Sequence, residues 1–411
     1  MEGLRIDNLV YLEKDDLIKF STFPIWIDYA FLENGKTQKK HLTAIALKNS
    51  ILDTHIIHPI TQFILDNWGN KEFNTQRKHT NNTVKFLNYL TTNKRNLNIK
   101  TISDLEISHG TKYLNSLSLA GVSKSTVKDA ERTLTILYHW LTKRGALPSI
   151  TLDFFSRKDG QWCSYLESPF KPLYPPRVPK SIEHSLPLEY IPLLLDIAIT
   201  TAKPIALGLY FQIFGGLRLS EVVNLKRTQV ARRIQNGDFI LKLQKQNFRT
   251  DLKEDASVKK VRSQRVMQIS DWGQILFRDH IKLYIPKDNT DALFVNRDGR
   301  AMSQRSYRQY FQKIKDNFIY ELQSNGDSEQ KLLAHHLKYM KWSTHIGRGT
   351  FTNLVAEEAK NPYEIAHLRG DSDITSALTY MASTKRIHQK IEKKILQMHE
   401  TYIPKLIGED E

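Results

Sequence analysis

Two short stretches hold the residues best suited to chemistry. In "STHIGRGTF" (343–351), His345 stands three positions before Arg348. On a helix, positions i and i+3 share a face. An imidazole can move a proton near neutral pH, and a guanidinium forks onto oxyanions. Phosphate is the target such a pair would share. In "FGGLRLSEVVNL" (214–225), Arg218 follows a double glycine. Glycine permits a tight turn and close backbone approach. Ser220 is placed to cap the helix that follows, which puts Arg218 at a helix start. A cation there opposes the helix dipole, while the outward-facing amides of the same end favour an anion. An anionic ligand explains the arginine better than the helix does.

The elements around these stretches follow from periodicity and punctuation. "FPIWIDYAFL" (23–32) has strand character, and "HPITQFILDNWGN" (58–70) reads as a short helix closed by Gly69. "NTVKFLNYL" (82–90) has helical spacing. "SDLEISHGTKYLNSL" (103–117) reads as a helix with Ser103 as N-cap and Glu106 completing a capping box. In 123–147, Val127, Ala130, Leu134, Leu137 and Leu141 make one apolar stripe, and Gly145 is placed to end the helix. These segments predict a small helical bundle whose other faces carry Lys124, Lys128 and Arg132. "SPFKPLYPPRVPKSIEHSLP" (168–187) holds six of the 14 prolines, enough to stop helices and stiffen an extended segment. Residues 188–226 read as buried helices interrupted at Gly215–Gly216. "DFILKLQKQ" (238–246) and "RSQRVMQIS" (262–270) alternate like two strands of a small sheet. In 361–383, Asn361 and Pro362 open a short helix that Gly370 closes, and Ser372 is placed to cap another that ends near Tyr380.

Bulk properties narrow the class. A chain of 411 residues suggests two or three domains. No apolar run reaches the length of a membrane span, and the N-terminus lacks the basic and apolar regions of a signal peptide. Cys163 is the only cysteine, so no internal disulfide can form, which suits a reducing, cytoplasmic setting. Sixty Lys and Arg against 44 Asp and Glu leave a net charge of +16 and a pI near 9.5. That balance points to a polyanion, most often nucleic acid. Between Lys226 and Arg265 the excess is twelve to four, as on a surface that tracks phosphates. There is no phosphate loop and no convincing metal-ligand cluster; "HH" at 335–336 is too sparse. No metal and no cofactor are expected.

Taken in order, the boxes resemble those of the tyrosine site-specific recombinases, the phage-integrase family. "GLRLSEVVNL" resembles the first arginine box, "THIGRGTF" the His-x-x-Arg box, and "HLRGDSDITSALTYM" the box that ends in the nucleophile. The resemblance covers roughly residues 75–400. It implies that Arg218 and Arg348 are the two catalytic arginines, His345 the histidine, and Tyr380 the nucleophile. Lys245, at the end of the second strand of the small sheet, matches the catalytic lysine; Lys259 or Lys260 replaces it if the insertion 247–261 shifts the register. One position departs. Where the family has His or Trp, nine residues before the tyrosine, this chain has Asp371, with His367 close by as a stand-in. An ionised carboxylate repels phosphate, so Asp371 is expected either to point away, pairing with a cation such as Arg369, or to hydrogen-bond a catalytic side chain and orient it.

The resemblance also implies an architecture. The fold is mainly α with a small antiparallel β-sheet: an N-terminal extension (1–70) for an arm site or a partner, a helical core-type DNA-binding domain (71–150), a linker (151–187) and a catalytic domain (188–411) decorated by that sheet. DNA would be held by Lys124, Lys128 and Arg132 on the bundle and by Lys259, Lys260 and Arg262 in the basic stretch. The partners implied are double-stranded DNA, three further copies acting on two duplexes through a four-way junction, and an accessory DNA-bending protein. The chemistry is self-consistent. Two arginines fork onto the non-bridging oxygens. A tyrosine with pKa near 10 needs nearby cations and a proton acceptor, which His345 supplies. A lysine protonates the departing 5′-oxygen, and the phosphotyrosine conserves the ester, so rejoining needs no ATP. Two rivals stand beside this reading: a relaxing or telomere-resolving relative, and a DNA-binding accessory protein that has lost activity.

Overall fold

The computed structural model describes residues 18–31, 37–160, 164–176, 185–231, 234–235, 238–252, 258, 260–269, 271–371, 374 and 378. The chain divides into two compact units, Met1–Pro179 and Lys180–Glu411. Both are built mainly of α-helices with small antiparallel sheets.

The first unit opens with a three-stranded sheet: β1 (Ile18–Phe31), β2 (Thr37–Asn49) and β3 (Thr54–Ile57), with β2 in the centre. Four helices follow: α1 (Thr61–Trp68), α2 (Phe73–Thr92), α3 (Ile107–Leu119) and α4 (Lys124–Lys143). The sequence divides the chain at residue 70, but the packing has no break there. Ile45 shares one core with Phe63, Phe86 and Leu134. The Ile45 amide donates to Thr61 Oγ1 at 3.0 Å, and the Phe20 amide to Asn88 Oδ1 at 2.9 Å. Sheet and bundle bury each other's apolar faces.

The stripe of α4, from Val127 to Leu141, is buried as its spacing requires. Ser123 caps α4 by accepting from the Thr126 amide, and Gly145 ends it at φ 71°. Ser103 does not cap α3. Asp104 bonds back to the amides of Lys100 and Thr101 at 2.8 and 2.7 Å, closing a 3₁₀ turn, and α3 starts only after Glu106. A hairpin, β4 (Arg157–Asp159) and β5 (Ser164–Leu166), leads into the proline-rich stretch. The first half of that stretch is a strap on the bundle. Phe170 enters the core edge-on to Tyr138, where Gly110 leaves room for its ring. The Leu173 amide donates to Asn115 Oδ1 at 2.8 Å, and the Tyr174 hydroxyl donates to Glu131.

The second unit begins with α5 (Ile191–Thr201) and α6 (Lys203–Gly215), then α7 (Leu219–Val223) and α8 (Arg227–Ala231). Every residue of α6 from Ile205 to Gly215 is buried, so it is apolar all round rather than striped. The small sheet is β6 (Ile234–Gln235), β7 (Asp238–Leu243) and β8 (Arg262–Val266), in that order. Both long strands are shorter than their alternation suggests, ending at Leu243 and Val266. Helices α9 (Trp272–Leu283), α10 (Gln304–Ser324), α11 (Ser328–Tyr339), α12 (His345–Glu358) and α13 (Pro362–Arg369) complete the unit. Helix α12 lies against α6: a Cβ added at Gly347 would meet Gln212 Cβ at 2.9 Å.

Candidate active site

The site starts at a turn. Helix α6 ends at Gly216, which adopts the left-handed conformation at φ 63°, ψ 25°. A Cβ there would be strained and would also run into the ring of Phe351 on α12. The turn delivers Arg218 as the N-cap of α7, a place expected for Ser220, which instead lies inside the helix. Glu221, at the third helical position, explains why a cation is accepted here. Its side chain takes the Arg218 amide at 2.7 Å and Arg218 Nη1 at 3.2 Å.

Arg348, one turn into α12, is 5% exposed. Its Nη1 donates to the Gly216 carbonyl. Its Nη2 donates to the Arg369 carbonyl at 3.0 Å and to Asp371 Oδ1 at 2.8 Å. The same Oδ1 accepts from Arg218 Nη2 at 2.5 Å. Asp371 Oδ2 lies 3.2 Å from Arg369 Nε. Asp371 therefore pairs with Arg369 but does not point away, since it also bonds Arg218 and Arg348. Its approach depends on α13, whose ends match the sequence. Asn361 Oδ1 caps the Glu364 amide at 3.1 Å, Pro362 occupies the first position, and Gly370 closes the helix at φ 65°.

Electrostatics keep these groups charged. Burial pushes the Asp371 carboxyl up, but the guanidiniums of Arg348, Arg369 and Arg218 outweigh it and hold the group below the ordinary carboxylate range. Glu221 behaves likewise: burial raises it, and Arg262 and Arg218 more than offset that. Burial, with Arg218 nearby, lowers Arg348 to about 10, which leaves it a cation at neutral pH.

His345 is exposed at the first position of α12, one turn before the buried Arg348. Lys245 is exposed in the bend two residues beyond β7 rather than on the strand. Tyr380 and Lys259 lie outside the described residues; Lys260 is half-buried. Arg262, expected on the DNA-facing surface, forks onto Glu221 at 2.5 and 3.1 Å and packs under Gly370. Its side chain is 13% exposed, so it belongs to the arginine cluster. Lys124, Lys128 and Arg132 are exposed on α4, and the two lysines each lie 5.5 Å from the Tyr174 ring centre. His367 is exposed on α13.

Glu221 is the member that the sequence reading missed. The Arg-x-x-Glu spacing at a helix start is the signal that would have found it. Among the described residues, no group of three His, Cys, Asp or Glu side chains could hold a metal ion. No helix among them is long and apolar enough to cross a membrane.

No protein-family model and no curated protein sequence matches the chain. Solved structures do. It is similar to the Tn1549 transposon integrase in complex with transposon right end DNA, at 16% identity, over 82% of this chain and 98% of that one, with a TM-score of 0.54. It is also similar to the XerH site-specific recombinase bound to difH substrate in a pre-cleavage complex, at 17% identity, over 78% and 80% of the two chains, with a TM-score of 0.51. The order of boxes, the left-handed turn before Arg218 and these likenesses agree: the chain has the fold of the tyrosine recombinases.

Proposed function

We propose that this protein is a site-specific DNA recombinase or integrase that cuts and rejoins duplex DNA through a 3′-phosphotyrosine intermediate on Tyr380. The observation that carries the reading is the convergence of Arg218 and Arg348, from distant segments, onto one oxygen of Asp371. Two guanidiniums that share one anionic oxygen form a site suited to a phosphodiester, whose non-bridging oxygens gain charge during attack. The Tn1549 transposon integrase is in complex with transposon right end DNA and XerH is bound to difH substrate, and the charge of +16 fits a polyanionic ligand of that kind. In this reading His345 accepts the tyrosine proton, Lys245 protonates the leaving 5′-oxygen, and no cofactor or ATP is consumed. The working form is a tetramer on two duplexes, and the protein is DNA-associated in the cytoplasm. Lys124, Lys128 and Arg132 hold DNA through the first unit, Lys259 and Lys260 through the second.

Footprinting on DNA flanking the gene would locate the site. A nicked duplex carrying that site should then trap a covalent adduct with the wild-type chain and none with Tyr380→Phe, while Tyr380→Phe binds equally well. An adduct that persists in Tyr380→Phe would sink the assignment and turn attention to Tyr363 and Tyr339, both exposed.

A second reading has one observation in its favour. The Asp371 carboxylate already satisfies both arginines, as it would in a DNA-binding accessory protein without cleavage activity. Absence of any adduct with the wild-type chain at saturated binding selects that reading.

A further inference from the structure

We propose that Asn224 is a positioning residue that sets Lys245 at a fixed reach from Arg218. The proposal rests on the reading of Lys245 as general acid, and deepens it. Asn224 is the residue at which α7 ends, the five-residue helix that Arg218 opens. It is 3% exposed. Its Nδ2 donates to the Ser220 carbonyl at 2.9 Å, which ties it back to its own helix. Its Oδ1 accepts the Phe248 amide at 3.1 Å. Its own carbonyl accepts from the Gln246 side chain. The residues after the lysine at positions 246 and 248 are thus both held by one asparagine.

Two further ties fix the same bend. The Gln246 carbonyl accepts the Val258 amide at 3.4 Å, and Val258 is 1% exposed in the main core of the unit. Arg249 donates to the Ala301 carbonyl at 3.0 Å and forks onto Asp251 at 2.8 Å with both nitrogens. Lys245 itself is exposed. The backbone beside it is anchored by the bonds of Gln246 and Phe248. A short helix with Arg218 at one end and Asn224 at the other acts as a spacer between the phosphate-binding cation and the proton donor.

The chemistry makes the spacing matter. As the tyrosine oxygen–phosphorus bond forms, the phosphorus–5′-oxygen bond breaks. The ammonium proton of Lys245 passes to that oxygen, which leaves as a hydroxyl. A misplacement near 1 Å costs about 10²-fold in rate. A 5′-sulfur leaves as a thiolate and needs no proton, so it reports whether the acid is in place.

The test uses the full chain and two nicked duplexes carrying the footprinted site, one with a 5′-oxygen and one with a 5′-bridging sulfur at the scissile phosphate. Asn224→Ala should slow cleavage of the oxygen duplex by ~10²-fold, be restored by the sulfur duplex, and leave duplex affinity unchanged. Gln246→Leu, which removes the tie to the Asn224 carbonyl and leaves the Asn224 side chain in place, should move the same way by a smaller factor. Hydrogen exchange in the free protein should speed up over 245–249 in Asn224→Ala. Equal slowing on both duplexes, wild-type rates on the oxygen duplex, or unchanged exchange over 245–249 each overturn the proposal. Lys245→Ala run alongside separates the two levels. If the sulfur duplex restores Lys245→Ala but not Asn224→Ala, only the positioning role fails; if it restores neither, the reading of Lys245 fails and takes this role with it.

Discussion

Arg218 and Arg348 donate to the same atom, Oδ1 of Asp371, at 2.5 and 2.8 Å. Two cations this close repel each other, and Arg348 is 5% exposed, so it has little water to screen it. The carboxylate between them makes the pair tolerable. Asp371→Asn keeps the shape and an acceptor oxygen but removes the charge. It should slow cleavage without weakening DNA binding. Asp371→Ala removes that acceptor oxygen as well as the charge, a loss on the scale of about 3–5 kcal/mol, and should lower the thermal midpoint more than Asp371→Asn does. Equal midpoints and rates for wild type and both variants would show that Asp371 does not organise the pair.

The two arginines should fail in different ways. Replacing either by Ala should cost ~10²-fold or more in cleavage, the scale of one lost oxyanion donor. Only Arg348 also holds the fold, because it donates to the carbonyls of Gly216 and Arg369 while buried. Arg348→Lys should therefore lower the midpoint of the second unit as well as the rate, since an ammonium lacks the planar fork. Arg218→Lys, at a site 30% exposed, should lower the rate and leave the midpoint nearly unchanged. A stability loss at Arg218→Lys as large as at Arg348→Lys would contradict this division.

Stability should fall on mild acidification. Burial lowers the His280 imidazole to about 4; its bond to the Leu293 carbonyl opposes this and nearby Arg227 adds to it. The unfolded chain binds the proton near 6.5. With a depressed folded value, the contribution is complete above pH 6.5 and is lost as pH falls toward 4, by on the order of 3 kcal/mol. His79 in the first unit, also lowered to about 4 by burial and then Lys78, has the same sign. Urea midpoints for both units should drop between pH 7.5 and 5, and His280→Gln, which can still donate to Leu293, should flatten the curve for the second unit. Midpoints that do not change over this range would refute the buried neutral state.

Binding should be steeply salt-dependent. Log affinity should fall with log salt by ~0.9 for each phosphate neutralised, and Lys128→Ala or Arg132→Ala, at exposed positions on α4, should each reduce the slope by about one. Arg262→Ala should leave the slope unchanged, because that side chain is committed to Glu221. A reduced slope for Arg262→Ala would return it to the DNA surface.

Much of the site was legible because it rests on local rules. The Gly-Gly turn, the Asn361 cap with Pro362 and the stripe of α4 each follow from residues within a few positions of one another. What was not legible depends on distant contacts. Nothing local says that Arg262 on β8 would choose Glu221 on α7, that Ile45 would bury against the helical bundle, or that Phe170 and Tyr174 would turn a proline-rich stretch into a strap. Periodicity overran the strands because the backbone beyond them bonds away from the sheet: the Gln246 carbonyl accepts the Val258 amide, and the Met267 amide donates to the Phe214 carbonyl.

The left-handed turn at Gly216 has a consequence for how this site can change. Its carbonyl receives Arg348, the ring of Phe351 fills the space where a side chain would grow, and Arg218 stands two residues on. The hinge of the first box is thereby also the floor of the second. Mutations cannot retune one arginine's aim and spare the other, because both are gauged from the same backbone atoms. A single methyl at position 216 would disarm the site while leaving every charged side chain in place, a silent failure that no inventory of catalytic residues would reveal.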